Sequence, residues 1–237
     1  MIHTLDSAKV TLTAERLHAR IADRFPTRGL TTVAAELVEA SRESAVVADD
    51  LGRPMIQFRL VAGLGILSLF ALIVWGATAV GLETVRAGGD FGLVEAIQAA
   101  ESAVNDVIFL AIAIFFLVRL EQRCKRSRAL NMLHKLRSLA HIIDMHQLTK
   151  DPDAMGADAR PTPSSPVRDL GGYELKRYFD YCSEMLSVLS KLAALLVEDF
   201  DDPVTLSAVN EVENLTSGLA RKIWQKIMVA SSYPPGA

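Results

Sequence analysis

The stretch LVAGLGILSLFALIVWGATAV, residues 60–80, decides the fold, because its 21 residues carry no charge. A helix rises 1.5 Å per residue, so about 20 residues cross a bilayer core of roughly 30 Å. In lipid the backbone polar groups must bond within the segment, which leaves a helix as the structure of a single span. Trp75 lies in its last third, near the depth where interfacial aromatic residues are found. A soluble core helix or a signal peptide is disfavoured by the length of the run and by the 59 residues before it.

A second apolar run, VIFLAIAIFFLV, covers residues 107–118. Its extension to 103–120 gives a candidate span of about 27 Å, which just crosses the bilayer core. Asn105 and Asp106 then lie one turn inside the outer end, where a carboxylate is tolerated near headgroups or against a partner. Together the runs predict a transmembrane hairpin over residues 59–120, with a short outer loop at 81–102.

The distribution of Lys and Arg around the runs predicts the orientation of this hairpin. Within about 20 residues of the ends of the two runs, three basic residues precede the first run, Arg86 alone lies in the loop, and seven follow the second run. Both termini are therefore expected in the cytoplasm, with a bacterial inner (plasma) membrane as the expected location. The basic cluster that follows the second run sets this topology and can also hold anionic lipid headgroups. Its members are Arg119, Arg123, Lys125, Arg126 and Arg128.

The N-terminal segment, residues 1–58, is predicted to form a cytoplasmic pair of helices. Apolar residues recur along 11–25, and Pro26 with Gly29 ends that helix before a second one at 30–51. Residues 1–9 are expected to be loosely held. The predicted stripes are Leu12, Leu17, Ile21 and Phe25 on the first helix, and Val33, Leu37, Ala40, Ser44 and Val47 on the second.

The second span is predicted to continue into the cytoplasm over residues 121–150. No proline or glycine interrupts 120–149, and an apolar stripe runs along it at Leu133, Leu136, Ala140 and Ile143. A helix unbroken from about residue 95 has some 55 residues and a length of roughly 80 Å. Residues 151–172 contain four prolines and three glycines, which predicts a disordered linker.

Residues 173–230 are predicted to form an antiparallel helical hairpin, followed by a tail at 231–237. The first helix has a near-heptad stripe, the turn places Asp202 as cap before Pro203, and a second amphipathic helix covers 204–229. The stripe consists of Leu175, Cys182, Leu189 and Leu196, with Tyr178, Met185 and Leu192 three residues on from the first three. The expected fold class is all-α: a two-span transmembrane helical hairpin with cytoplasmic helical hairpins at both ends.

Candidate chemistry is sparse. His134, His141 and Asp144 share one side of the cytoplasmic extension, and imidazoles with a carboxylate can bind zinc. The simpler alternative is a set of histidines at a helix interface. Intramembrane Asn105 and Asp106 are candidates for lining a pore. Catalytic motifs are lacking, so no enzyme activity and no cofactor are expected, and a net charge of −3 gives no case for nucleic acid.

Three functional hypotheses follow. The leading one is an integral membrane protein whose cytoplasmic helices mediate self-association or docking of a cytoplasmic protein partner, with the lipid bilayer and further copies of the chain as partners. The alternative is a small oligomeric channel or membrane-permeabilising effector gated by these helices. The third is a metal- or pH-responsive membrane regulator that uses His134, His141 and Asp144.

Overall fold

The protein is all-helical in the computed structural model, which describes residues 4–86, 93–152, 160, 162–165 and 169–232. The helices are α1 Ser7–Arg24, α2 Gly29–Gly52, α3 Ile56–Arg86, α4 Leu93–Leu148, α5 Gly172–Leu195 and α6 Pro203–Ser232. The chain divides into two compact units. Met1–Gly52 and Arg126–Ala237 form the first, called the bundle unit below, and Arg53–Lys125 forms the second, called the hairpin unit.

Helix α1 begins earlier than the sequence suggests. The Asp6 carboxylate accepts hydrogen bonds from the backbone N–H groups of Ala8 and Lys9, at 3.0 and 3.3 Å, and caps a helix that starts at Ser7. The prediction that residues 1–9 are loosely held is therefore wrong for 7–9. Leu12 was also misplaced, since it is 45% exposed. The buried positions of α1 are Val10, Ala14, Leu17 and Ile21, at the regular three- and four-residue spacing.

Helix α5 is the centre of the bundle unit, because it contacts α1, α2 and α6. All seven positions of its predicted stripe are buried, as are Phe179 and Leu186 beside it. Arg20 pairs with Glu184 at 2.6 Å, and the rings of Phe25 and Tyr178 meet edge to face with centroids 5.6 Å apart. These contacts show that α1 runs antiparallel to α5. The N-terminal helical pair therefore belongs to the same compact unit as the C-terminal hairpin.

The part of α4 that follows Arg126 completes this core. Its predicted stripe is buried, and Ala129, Met132 and Leu139 widen it. Lys135 pairs with Glu43 of α2, and Arg137 with Glu211 of α6 at 3.5 Å, so α4 lies between these two helices. The helix is continuous over its 56 residues, as the absence of proline and glycine beyond residue 120 predicted.

Both connections to the hairpin unit lie at one end of the bundle unit. The chain leaves the bundle after Gly52 and returns at Arg126. Arg128 pairs with Asp50 at 3.5 Å, so these two points are neighbours, and we call this the junction end. At the opposite end, the far end, His146 of α4 lies against Gly29, where an added Cβ would be 2.6 Å from His146 Cε1.

The hairpin unit pairs α3 with the first part of α4. The backbone N–H of Met55 donates to Glu121 Oε1 at 3.0 Å, and an added Cβ at Gly65 would lie 3.7 Å from Leu110 Cδ1, so the helices run antiparallel. Their large apolar side chains face outward; Phe70 and Phe109 are 66% and 71% exposed. The stretches Gly29–Gly76, which includes most of α3, and Ala100–Leu148 of α4 each contain an 18-residue window long and apolar enough to cross a membrane, and no part of either window is buried.

Several boundaries differ from the predictions. Helix α3 covers Ile56–Arg86 rather than 60–80, and α5 ends at Leu195, before a turn that reaches Asp202. Pro203 begins α6 as expected. The middle of the predicted outer loop, 87–92, lies outside the described residues, as do most of the tail, 233–237, and half of the predicted disordered linker, at 153–159, 161 and 166–168.

Candidate functional site

The histidine set on α4 is not assembled into a metal site. His134 and His141 are exposed, while Asp144 accepts a hydrogen bond from the Gln147 side chain at 2.6 Å. Nowhere in the described chain are three His, Cys, Asp or Glu side chains grouped so that they could hold a metal ion. His134 instead borders an open groove between α2 and α4 that also carries Glu36, Glu39, Glu43 and Lys135.

Lys226 has a role that the sequence did not reveal. Its amino group donates to the backbone carbonyls of Gln147 and Lys150, at 3.0 and 3.2 Å. It therefore joins α6 to two carbonyls at and just beyond the end of α4, and the Gln147 carbonyl also accepts from the Lys150 backbone N–H at 3.2 Å. Desolvation by burial lowers the pKa of this amino group below its ordinary value, against the opposing effect of Asp151 and Asp144. A contact between distant helices such as this has no signal in local sequence.

The thiols offer no reactive nucleophile in the bundle unit. Cys182 is buried in the core, and burial raises its pKa to about 12, so the thiol stays protonated at neutral pH. Cys124, in the hairpin unit, is half-buried.

Three of the five residues in the predicted basic cluster are bound to carboxylates. The Arg126 guanidinium donates through Nε to both carboxylate oxygens of Asp202 at 3.0 Å. Arg128 pairs with Asp50, and Lys125 pairs with Glu121 at 3.5 Å. These cations therefore contribute to the internal structure of the two units, which a count of charges along the sequence does not show.

Asp202 organises the junction end through two kinds of contact. Besides Arg126, its carboxylate accepts hydrogen bonds from the Thr205 backbone N–H and hydroxyl, at 2.9 and 2.8 Å, which confirms it as the cap of α6. Desolvation by burial raises the pKa of Asp202, but the hydrogen bonds from Arg126 and Thr205 outweigh it, so its pKa lies below the ordinary value.

Arg119 and Arg123 differ from the other three members of the cluster, because both side chains are exposed and neither has a carboxylate partner in the described residues. The Arg119 guanidinium lies 5.0 Å from the centre of the Phe115 ring. Phe115, Arg119 and Arg123 are four residues apart and share one face of α4.

The polar residues Asn105 and Asp106 lie on α4 among outward-facing apolar side chains. Asn105 is exposed and Asp106 is half-buried. Their role in a channel stays a prediction.

The bundle unit also exposes large apolar side chains towards its far end. On α6, Trp224 and Met228 are 61% and 55% exposed and share one face, four residues apart. On α4, Met145 and Leu148 are similarly exposed. We call Trp224 and Met228 the α6 patch, because aromatic residues and methionine are enriched at protein interfaces.

Comparisons with protein-family models, with curated proteins and with solved structures find no match to this chain.

The Asp202 contacts predict a pH-dependent stability. Because the pKa is lowered in the folded state, the charged carboxylate stabilises the fold above about pH 4, and this contribution is lost as the pH falls through the folded-state pKa. Asp202→Asn should lower the unfolding temperature of the full chain in detergent at pH 7 and flatten its decline below about pH 4. Asp202→Ala should cost about 1 kcal/mol more, because it also removes the cap.

The matched control is Asp201→Asn, which removes a charge from the neighbouring exposed carboxylate. It should leave both the unfolding temperature and its pH profile unchanged. Equal effects of Asp201→Asn and Asp202→Asn would contradict the assigned role of Asp202.

Proposed function

We propose that this is an integral membrane protein of two spans whose cytoplasmic bundle unit mediates self-association or docks a protein partner. The observation that carries the proposal is the contrast between the two units. Apolar side chains are outside on the hairpin unit and inside on the bundle unit. Burial of apolar surface is the main favourable term in folding, so a helix pair with this surface needs lipid or protein around it.

The proposed topology is supported by the junction end. Gly52 and Arg126 leave the bundle unit at the same end, held by the Arg128–Asp50 pair. Two spans that begin and end at one point enter the bilayer from one side. The excess of Lys and Arg beside that point favours the cytoplasmic side, which would place both termini in the cytoplasm of a bacterial inner membrane protein.

Self-association is supported by exposed polar and apolar side chains in each of the two units. Asn105 is exposed on a proposed span, and a polar amide in lipid is better satisfied against a second copy. In the bundle unit, the α6 patch exposes a tryptophan and a methionine. We propose that copies of the chain contact one another through the spans and through this patch.

Cysteine labelling tests the topology. In a Cys124→Ser, Cys182→Ala background, a membrane-impermeant maleimide added to intact cells should label Gly89→Cys, in the connection between the spans. It should label Ser164→Cys only after permeabilisation, because residue 164 is exposed on the cytoplasmic side in this account. Labelling of Ser164→Cys in intact cells would refute the proposed orientation.

Light scattering of the protein in mild detergent tests self-association. The wild-type chain should be a dimer or larger, and Trp224→Glu should weaken the association by about 2 kcal/mol, or roughly 30-fold, as for a central interface tryptophan. Leu206→Glu is the matched control, since Leu206 is also exposed on α6 but lies near the junction end. A monomeric wild-type chain without a co-purifying protein would contradict the proposal.

A further inference from the structure

The basic residues around the junction end fall into two groups with different chemistry. Lys125, Arg126 and Arg128 have carboxylate partners within the chain. Arg119 and Arg123 have none in the described residues, and the same is true of Arg59, which is exposed near the start of α3. An unpaired guanidinium beside an apolar span is available for an external anion.

These three arginines lie at one level of the hairpin unit. The Met55–Glu121 hydrogen bond aligns α3 with α4 and serves as a reference. Arg59 is four residues beyond Met55, or about 6 Å, while Arg119 and Arg123 lie two residues to either side of Glu121, or about 3 Å. The three Cα positions therefore fall within a band of about 9 Å along the hairpin. The polar layer of a bilayer leaflet has a similar thickness, roughly 5 to 8 Å.

The stripe on α4 matches the order of groups in a lipid leaflet. Phe115 is apolar and exposed, the Arg119 guanidinium lies over its ring, and Arg123 follows one turn closer to the cytoplasm. At a membrane surface, long basic side chains keep their charged ends in the polar layer while apolar groups lie among the acyl chains. Phe115 with the two arginines has this order. Guanidinium groups bind phosphate through paired N–H donors, which makes them suited to a phosphodiester.

We propose that Arg119 and Arg123, with Arg59 of α3, bind the phosphodiester headgroups of anionic phospholipids. This inference rests on the proposed membrane location. It assigns lipid recognition to one part of the basic cluster only, and it leaves Lys125, Arg126 and Arg128 to the internal ion pairs. The bilayer then holds the cytoplasmic end of the hairpin at a fixed depth through three charged contacts.

The test uses the full chain in phosphatidylcholine vesicles with spin-labelled phosphatidylglycerol or spin-labelled phosphatidylcholine as the probe. Electron spin resonance gives the relative association of each lipid with the protein. Each basic residue at an anionic surface contributes a factor of up to about five, so three arginines should give the wild-type chain a preference for phosphatidylglycerol well above that factor. In Arg119→Gln/Arg123→Gln, which keeps Arg59, the preference should fall to about fivefold or less, and raised salt should weaken the wild-type preference.

Arg126→Gln is the matched control. This variant removes one positive charge three residues from Arg123. That charge differs from the other two, because it is already paired with Asp202. It should keep the lipid preference while lowering the unfolding temperature. If the double variant integrates poorly, Arg123→Gln alone, at the water-facing edge of the band, should still halve the preference or more.

Two results with the variants would overturn the inference: an unchanged preference for phosphatidylglycerol in the double variant, or an equal loss of that preference in Arg126→Gln. A third would be loss of the wild-type preference when millimolar glycerol phosphate is added, because that result would indicate a site for a free anion. Flotation of the vesicles separates this failure from failure of the proposed function. A wild-type chain that does not float with the vesicles refutes the membrane location. A chain that floats without lipid preference refutes only the inference.

Discussion

The buried stripe of α4 between Ala129 and Ile143 is the contact on which the rest of the structure depends. This helix is apolar all round where it is proposed to cross the bilayer, and apolar on one side only where it enters the bundle unit. Helices α2 and α6 pack around the part that enters the bundle unit, so segments from both sides of the hairpin in sequence form a single core.

Electrostatic contacts fix the end of the bundle where the chain leaves it and returns. Asp202 joins α4 to the start of α6 through Arg126, and Asp50 joins α2 to α4 through Arg128. At the far end, Lys226 and His146 secure the end of α4 against α6 and Gly29. Exposed ion pairs contribute little stability individually. In this bundle we infer that the ion pairs set the register of the helices, because apolar stripes alone would allow one helix to slide along another.

The sequence predicted the parts of the fold that depend on local pattern. Hydrophobic periodicity identified the core positions of α4 and α5, and the Asp-Pro signal located the start of α6. The same periodicity placed Leu12 in the core incorrectly, since this side chain is exposed. The sequence pattern also missed the cap of α1, because the start of this helix depends on the single side chain of Asp6. The sequence could not show that α1 and α2 pack on α5, nor which arginines are paired, because these contacts join residues far apart in the chain. The candidate metal ligands were predicted from their spacing along one helix, and that spacing does not determine the orientation of their side chains.

The central claim is that residues from both sides of the hairpin fold as one unit. Hydrogen exchange of the full chain in lipid nanodiscs, followed by mass spectrometry at increasing urea, tests it directly. The core amides of α1, α2, the second half of α4, α5 and α6 should exchange through one shared opening, with equal free energies and equal urea dependence. Contradiction would come from amides of α1 and α2 that exchange through a separate opening of lower free energy, with a urea dependence of their own, while α5 and α6 stay protected.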